Sequence, residues 1–201
     1  VQYLADQQPE LAVGAPYQGA GRLYFAVGGE SSPAFRYAAI DAPTLLSATA
    51  GFGLAVEPIG DLDGDGESEV LVGAPFHSSG GNNDACDGER GAPGLYAGDC
   101  AGAIVVVRAS DVAEGGALFP IDDSCVERGT DGERLGAALR ALELRGEGVR
   151  VAVGAPAHAM KAGSVYVYTI TMESDGTCVF DRLSLVNTGA LGDRFGFSFG
   201  M

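Results

Sequence analysis

The chain has 201 residues, with 27 Asp and Glu against 12 Lys and Arg, a net charge of −15, 46% apolar residues, 32 glycines and no tryptophan. That charge argues against nucleic acid and anionic membrane surfaces as partners, since both require clustered Lys and Arg. The apolar fraction suffices for a packed core rather than a disordered tail, and no apolar run approaches the ~20 residues that cross a bilayer.

Glycine at this level predicts many turns and little helix. In chain order, the first strand-like run is ELAV at 10–13, closed by Gly14-Ala15-Pro16, and AGRLYF follows from Ala20. Phe52-Gly53 then leads to GDLDGDGESEVLVGAP at 60–75, in which EVLV again runs into Gly73-Ala74-Pro75. AGAIVVV follows from Ala101. Leu135-Gly136 opens a third passage, with RVAV before Gly154-Ala155-Pro156 and AGSVYVY from Ala162, and Phe195-Gly196 starts the pattern again. Proline ends each strand because it cannot donate to the ladder. Glycine permits positive φ and close backbone approach. The aromatics Tyr24, Phe25, Tyr166 and Tyr168 stand at strand spacing and read as core.

The spacing is regular. Phe52 to Gly73 is 21 residues and Leu135 to Gly154 is 19, while Leu135 to Phe195 is 60. Phe52 to Leu135 is 83, and the excess lies between the second GAP and its Ala-Gly element. A period near 60 with several short strands per copy predicts an all-β chain of β-propeller blades, each a four-stranded antiparallel sheet. Such a blade cannot bury both faces alone and must stack on its neighbours. The blades are expected at roughly 1–50, 51–133 and 134–194, with 195–201 starting a further repeat.

The pattern of Phe/Leu-Gly, GDLDGDG, EVLVGAP and AG with alternating apolar residues resembles the FG-GAP repeat of the integrin α-subunit β-propeller. The likeness covers nearly the whole chain, with the first copy lacking its upstream half. It implies an extracellular, calcium-binding, non-catalytic module for adhesion or for binding a protein or glycan ligand. Two other roles stay open: an accessory propeller region of a secreted hydrolase, and a structural spacer in a large surface protein. No membrane insertion and no nucleic acid are expected.

Residues 61–69 admit three readings: a metal loop, an acid/base carboxylate pair, or a solvated turn. Asp61, Asp63 and Asp65 occupy positions 1, 3 and 5 of a tight loop, Gly66 allows the sharp turn, the Glu67 carbonyl stands at position 7 and Glu69 at position 9. Ca²⁺ takes 6–8 oxygens, and this loop offers most of them. It is not an EF-hand, whose position 12 is a bidentate Glu; here that position is Val72. The resemblance implies the β-hairpin calcium loop of integrin-like blades, from which Glu69 departs, since the family usually has Asp there. A glycosidase-type carboxylate pair would come from separate segments rather than one repeat loop. Aligned on GAP, the third copy offers Leu142, Leu144, Gly146 and Arg150, and the first offers Gln2, Leu4, Asp6 and Glu10, so one good calcium site is expected.

Four cysteines without a CxxC spacing make a zinc site improbable and favour two disulfides in an oxidising compartment. Three pairings are formally open. Cys86 and Cys100 share the long second-copy insertion and are predicted to close it, leaving Cys125 for Cys178. That insertion departs from the repeat norm, and loop extensions on rigid scaffolds often carry recognition. His77 and His158 share one repeat position and read as loop residues. Arg134 and Arg194 read as surface contacts between blades. There is no GxSxG and no HExxH. No leader pattern is visible, which reads as a mature chain or an excised piece. Its two terminal half-repeats are complementary, so head-to-tail association of two copies into six blades is expected.

Overall fold

The computed structural model describes residues 10–27, 36–78, 100–108, 121–145, 148–158, 162–186, 190 and 192–200. The described residues form three antiparallel sheets in chain order. The first holds β1 (Glu10–Ala15), β2 (Arg22–Val27) and β3 (Arg36–Asp41). The second holds β4 (Ala55–Gly60), β5 (Glu69–Gly73), β6 (Ala103–Val107) and β7 (Val126–Arg128). The third holds β8 (Leu139–Arg145), β9 (Gly148–Ala155), β10 (Ser164–Met172) and β11 (Cys178–Val186). Each strand pairs with the next in sequence, as in a propeller blade, and the three sheets do not close into a ring. The first sheet has three strands among the described residues, against four in the others.

The middle strands explain the chain's apolar runs. Every residue of β5 and β6 is buried, because both faces of the second sheet are covered. A strand buried on both faces loses the polar/apolar alternation of a half-exposed one. One continuous core joins Leu23, Phe25 and Ile40 of the first sheet to Leu71 and Ile104 of the second and Val151 and Ile170 of the third. Phe25, Tyr166 and Tyr168 are buried, as their spacing predicts. Tyr24 is half-buried and its hydroxyl donates to Gln18 at 2.6 Å.

Consecutive sheets meet through a repeated backbone joint. Isolated parallel bridges link Gly21 to Phe52, Gly102 to Leu135 and Gly163 to Phe195. The N–H of Phe52 donates to the Ala20 carbonyl, that of Leu135 to Ala101 and that of Phe195 to Ala162, each at 3.0 Å. Gly53 and Gly136 are each wedged between two GAP glycines, and Gly196 lies against one, Gly154. Gly53 donates its N–H to the Gly73 carbonyl of its own sheet at 3.0 Å, and Gly136 donates likewise to Gly154. On the other side they touch the preceding sheet so closely that a Cβ on Gly14 would lie 1.8 Å from the Gly53 oxygen. A Cβ on Gly73 would lie 2.0 Å from the Gly136 oxygen, and one on Gly154 would lie 1.9 Å from that of Gly196. Only a hydrogen atom fits there.

A disulfide adds a covalent tie. Cys125, at the end of a single 3-10 turn before β7, is bonded to Cys178 at the start of β11, with Cα atoms 4.8 Å apart. It staples the second sheet to the third across 53 residues, a span for which chain-entropy arguments give roughly 4 kcal/mol. Cys100 is fully buried, and its predicted partner Cys86 lies outside the described residues.

Arg134 is not a surface contact: it is 2% exposed, and its guanidinium lies 5.7 Å from the centre of the Phe76 ring. Its backbone takes φ +57°, which turns the side chain under the GAP loop of the preceding sheet, and Arg194 repeats that backbone at φ +54°.

The joint makes a direct prediction. Gly73→Ala should cost about 3 kcal/mol, the upper range for forcing extra atoms into a packed interior. Gly132→Ala, where φ is +84° but nothing lies within 4 Å of the added carbon, should cost only ~1 kcal/mol. Thermal unfolding of the two variants in parallel checks this ordering.

Candidate metal centre

The acidic loop, residues 61–68, joins β4 to β5. Its base is fixed by the register of Gly60 opposite Glu69, with an irregularity after Pro58. The Gly60 N–H donates to the Ser68 hydroxyl at 3.1 Å. Above this base the chain winds around its own carboxylates. Asp61 accepts from the N–H of Gly64 at 2.7 Å through one oxygen and from that of Gly66 at 3.0 Å through the other. Asp63 accepts from the Asp65 N–H at 3.1 Å, and Asp65 from the Glu67 N–H at 2.8 Å. The Asp63 and Asp65 bonds are successive Asx turns, in which a short carboxylate captures an amide two residues on, while Asp61 reaches amides three and five residues on. Gly64 and Gly66 sit at φ +81° and +91° with open space around them, so conformation and not crowding demands glycine there.

The loop gathers three of the predicted ligands. Asp61, Asp63 and Asp65 each place a carboxylate oxygen within 4.8 Å of the other two, and all three are exposed. The Glu67 amide is used inside the loop. Glu69 is not part of that close triad. It begins β5 and is fully buried beneath the loop. Its Oε2 accepts from the Leu62 N–H, while its Oε1 is buried with no hydrogen-bond partner.

That orphaned oxygen matters energetically. A buried charged group without compensation is costly, and the usual relief is a proton or a counter-ion. Burial first, then the charges of Asp63, Asp65 and Asp61, push the Glu69 carboxyl up to about 7 against the opposing Leu62 N–H bond. Asp63 is also pushed up, by its partial burial and then by its neighbours Asp65 and Asp61. The converging Asp61, Asp63 and Asp65 carboxylates, with the unsatisfied buried oxygen of Glu69 below their loop, offer oxygen donors only. Such a set suits a hard divalent cation and not a soft one.

Among the described residues the third sheet has no counterpart loop. Leu142, aligned with Asp61 on GAP, lies within β8, and Arg145 already pairs with Gly148. Arg150 bonds Glu143 at 3.2 Å on the neighbouring strand. Gly146 and the first-copy positions Gln2, Leu4 and Asp6 lie outside the described residues.

The stretch from the joint residue Phe52, through the acidic loop, to the GAP turn of the second sheet has a known counterpart. Residues 52–85 match the FG-GAP repeat. No curated protein matches the chain. The FG-GAP match covers β4, the acidic loop and β5 of the second sheet, and the sheets on either side share its Gly–Gly joint.

A second polar cluster was not legible in the sequence. Glu133 is buried in the connector between the second and third sheets. Its Oε2 accepts from the Thr130 N–H at 2.9 Å, and its Oε1 meets the Tyr166 hydroxyl and, at 3.0 Å, His158 Nδ1. Burial works to raise this carboxyl, but the hydrogen bonds from Tyr166, Thr130 and His158 outweigh it and hold the group below its ordinary value. His77, at the matching repeat position, does something different. Its Nδ1 accepts from the Ser47 N–H at 3.1 Å, and burial, then the Arg128 charge, keeps it below its ordinary value. One repeat position thus carries two chemistries. The available sequence signal was the Glu133-Arg134 pair recurring as Asp193-Arg194.

Glu69 yields a pH prediction with a definite sign. Its folded value, about 7, lies above the ordinary 4.5, so the metal-free fold binds this proton more tightly than the unfolded chain. The metal-free fold should therefore gain stability from this group as pH falls from about 7 toward 4.5, and lack that gain at higher pH. Glu69→Gln should raise the melting temperature in chelator at about pH 8 and reduce its difference from that at about pH 5. Calorimetry of both proteins at the two pH values checks this.

Proposed function

We propose that the chain is a calcium-stabilised, non-catalytic binding module of a secreted or cell-surface protein, built from integrin-like propeller blades. The observation that carries this reading is the Glu69 Oε1 atom, fully buried and unpartnered below the Asp61, Asp63 and Asp65 carboxylates. Those four side chains would hold Ca²⁺, with a main-chain oxygen near Glu67 completing the set. Bound calcium would supply the positive charge that lets the four carboxylates stay ionised together. The chain's own residues do the rest: the loop's amide bonds preorganise three carboxylates, and β5 holds the fourth rigidly. The loop is thus a structural clasp on one hairpin, and recognition of a protein or glycan falls to loops carried by the stacked sheets. The Cys125–Cys178 disulfide fits an oxidising, extracellular setting.

Calcium titration by calorimetry, paired with thermal unfolding, tests the proposal. The unaltered chain should bind one Ca²⁺ with Kd no weaker than ~10⁻³ M. A hundredfold excess over Kd should stabilise it by about 2.7 kcal/mol. Asp63→Ala should abolish the binding heat and the calcium-dependent shift while leaving the melting temperature in chelator intact. An unaltered chain that shows neither heat nor shift at about 10 mM calcium would refute the reading.

A further inference from the structure

The connector from β3 to β4 is pinned to both sheets it joins. On the first sheet, the Ala42 N–H donates to the Gly21 carbonyl and the Phe52 N–H to that of Ala20, each at 3.0 Å. Between these points the chain folds into a tight turn, in which Leu46 donates its N–H to the Pro43 carbonyl and Ala50 to that of Ser47. Three bonds dock this turn on residues 76–78, just after the GAP turn of the second sheet. The Phe76 N–H donates to the Ala50 carbonyl at 2.9 Å, the Ser78 N–H to the Ser47 hydroxyl at 3.2 Å, and the Ser47 N–H to His77 Nδ1 at 3.1 Å.

Of these three acceptors, only the His77 ring changes with a proton near neutral pH. A ring nitrogen that accepts a backbone N–H carries a lone pair, so His77 is neutral with its proton on Nε2. A second proton would turn Nδ1 into a donor facing a donor. Burial leaves the ring little room to escape: His77 is 4% exposed, and its backbone is held on both sides, its N–H by the Ala74 carbonyl and its carbonyl by the Gly102 N–H. The charge that bears on the ring is a like one, Arg128 of β7, itself paired with Asp123 at 2.7 Å. Residues 43–50 carry no titratable side chain, and Cys100, beside the Gly102 contact, is disulfide-bonded and does not titrate. Arg134 lies over the neighbouring Phe76 ring.

The matching residue of the third sheet lacks this liability. His158 Nδ1 faces a carboxylate oxygen of Glu133 at 3.0 Å, so a proton there keeps the contact. The Cys125–Cys178 bond also ties the second sheet to the third.

We propose that His77 is an acid-sensitive latch between the first and second sheets. Protonation of Nδ1 releases the 43–50 turn from residues 76–78 and loosens that seam, while the seam between the second and third sheets stays closed. The sign follows from linkage. Burial and then the Arg128 charge hold the folded value below the ordinary 6.5, so the released or unfolded chain takes the proton first, and the latch weakens as pH falls below about 6.5. The device is independent of the metal reading, and Glu69 acts with the opposite sign.

Amide exchange in chelator at about pH 7.5 and about pH 5, corrected for the intrinsic rate, reads the latch. Protection of the Ser47, Phe76 and Ser78 amides should fall about tenfold or more at the lower pH, while that of the Thr130 amide, which donates to Glu133, should hold. His77→Asn puts an amide oxygen in the place of Nδ1 and cannot titrate, so its Ser47 amide should stay protected at both values. Glu69 titrates in both proteins and cancels in the comparison. Nitrogen NMR of the unaltered chain should find the His77 proton on Nε2 at about pH 7.5, a readout that needs no variant. Equal Ser47 protection at the two pH values would overturn the proposal. So would a His77→Asn chain that loses protection as steeply as the unaltered one, or a His77 proton found on Nδ1.

Discussion

The close approach of glycine to glycine between consecutive sheets is the constraint on which the remaining structure depends. At the Gly53 and Gly136 joints a glycine backbone is held from both sides, by a hydrogen bond within its own sheet and by direct contact with the sheet before it. Contacts between side chains can slide or repack when a neighbour changes. A backbone pressed against a backbone has no such latitude, because packed interiors do not deform continuously. The spacing of the sheets is therefore set by the main chain, and side chains fill the space it leaves. That is why Phe52 and Leu135 can both sit at 0% exposure in equivalent positions despite their different shapes.

Fixing the frame through the backbone frees the hairpin ends to diverge. β4 and β5 are parted by the acidic loop, while β8 and β9 run on until Arg145 meets Gly148. The acidic loop exploits the rigid base it stands on. Three aspartates belong to the loop and are exposed, but Glu69 belongs to the strand and is buried by the same stacking that buries Val70 and Leu71. The site is thus half surface turn and half core. A carboxylate in a core position with one oxygen unsatisfied is unfavourable in isolation, and it persists because β5 is over-determined by its neighbours.

Much of this was legible in the sequence because it depends on residue types that mark backbone constraints. The GAP turns, the Phe/Leu-Gly joints and the Ala-Gly elements announce strand ends and close approaches, and their spacing gives sheets in series. The alternate aspartates were legible for the same reason, since a local loop is set by local spacing. What escaped is what tertiary contact decides. Arg134 looked like a surface residue, yet a positive φ at one position folds it beneath Phe76. The link from Glu133 to His158 and Tyr166 joins residues 25 and 33 positions apart, and no periodicity announces it. The depth of Glu69 follows from β5 being covered on both faces, which only the stacked sheets reveal.

The two connectors after the second and third sheets show how such a frame acquires individual character. Asp193 accepts from the Ala190 N–H at 2.8 Å, just as Glu133 accepts from the Thr130 N–H, so both carboxylates cap the turn that delivers the next joint. Aspartate uses its reach on that cap. Glutamate is one methylene longer and has a second oxygen placed to meet Tyr166 and His158 of the following sheet. Those bonds are charge-assisted and shielded from water, conditions under which hydrogen bonds are stronger than at an exposed site. With the Cys125–Cys178 bond between the same two sheets, the second and third sheets are fastened by covalent, polar and backbone contacts together. The frame common to all the joints comes from glycine, and the difference between one joint and the next comes from a single side chain being long enough to cross it.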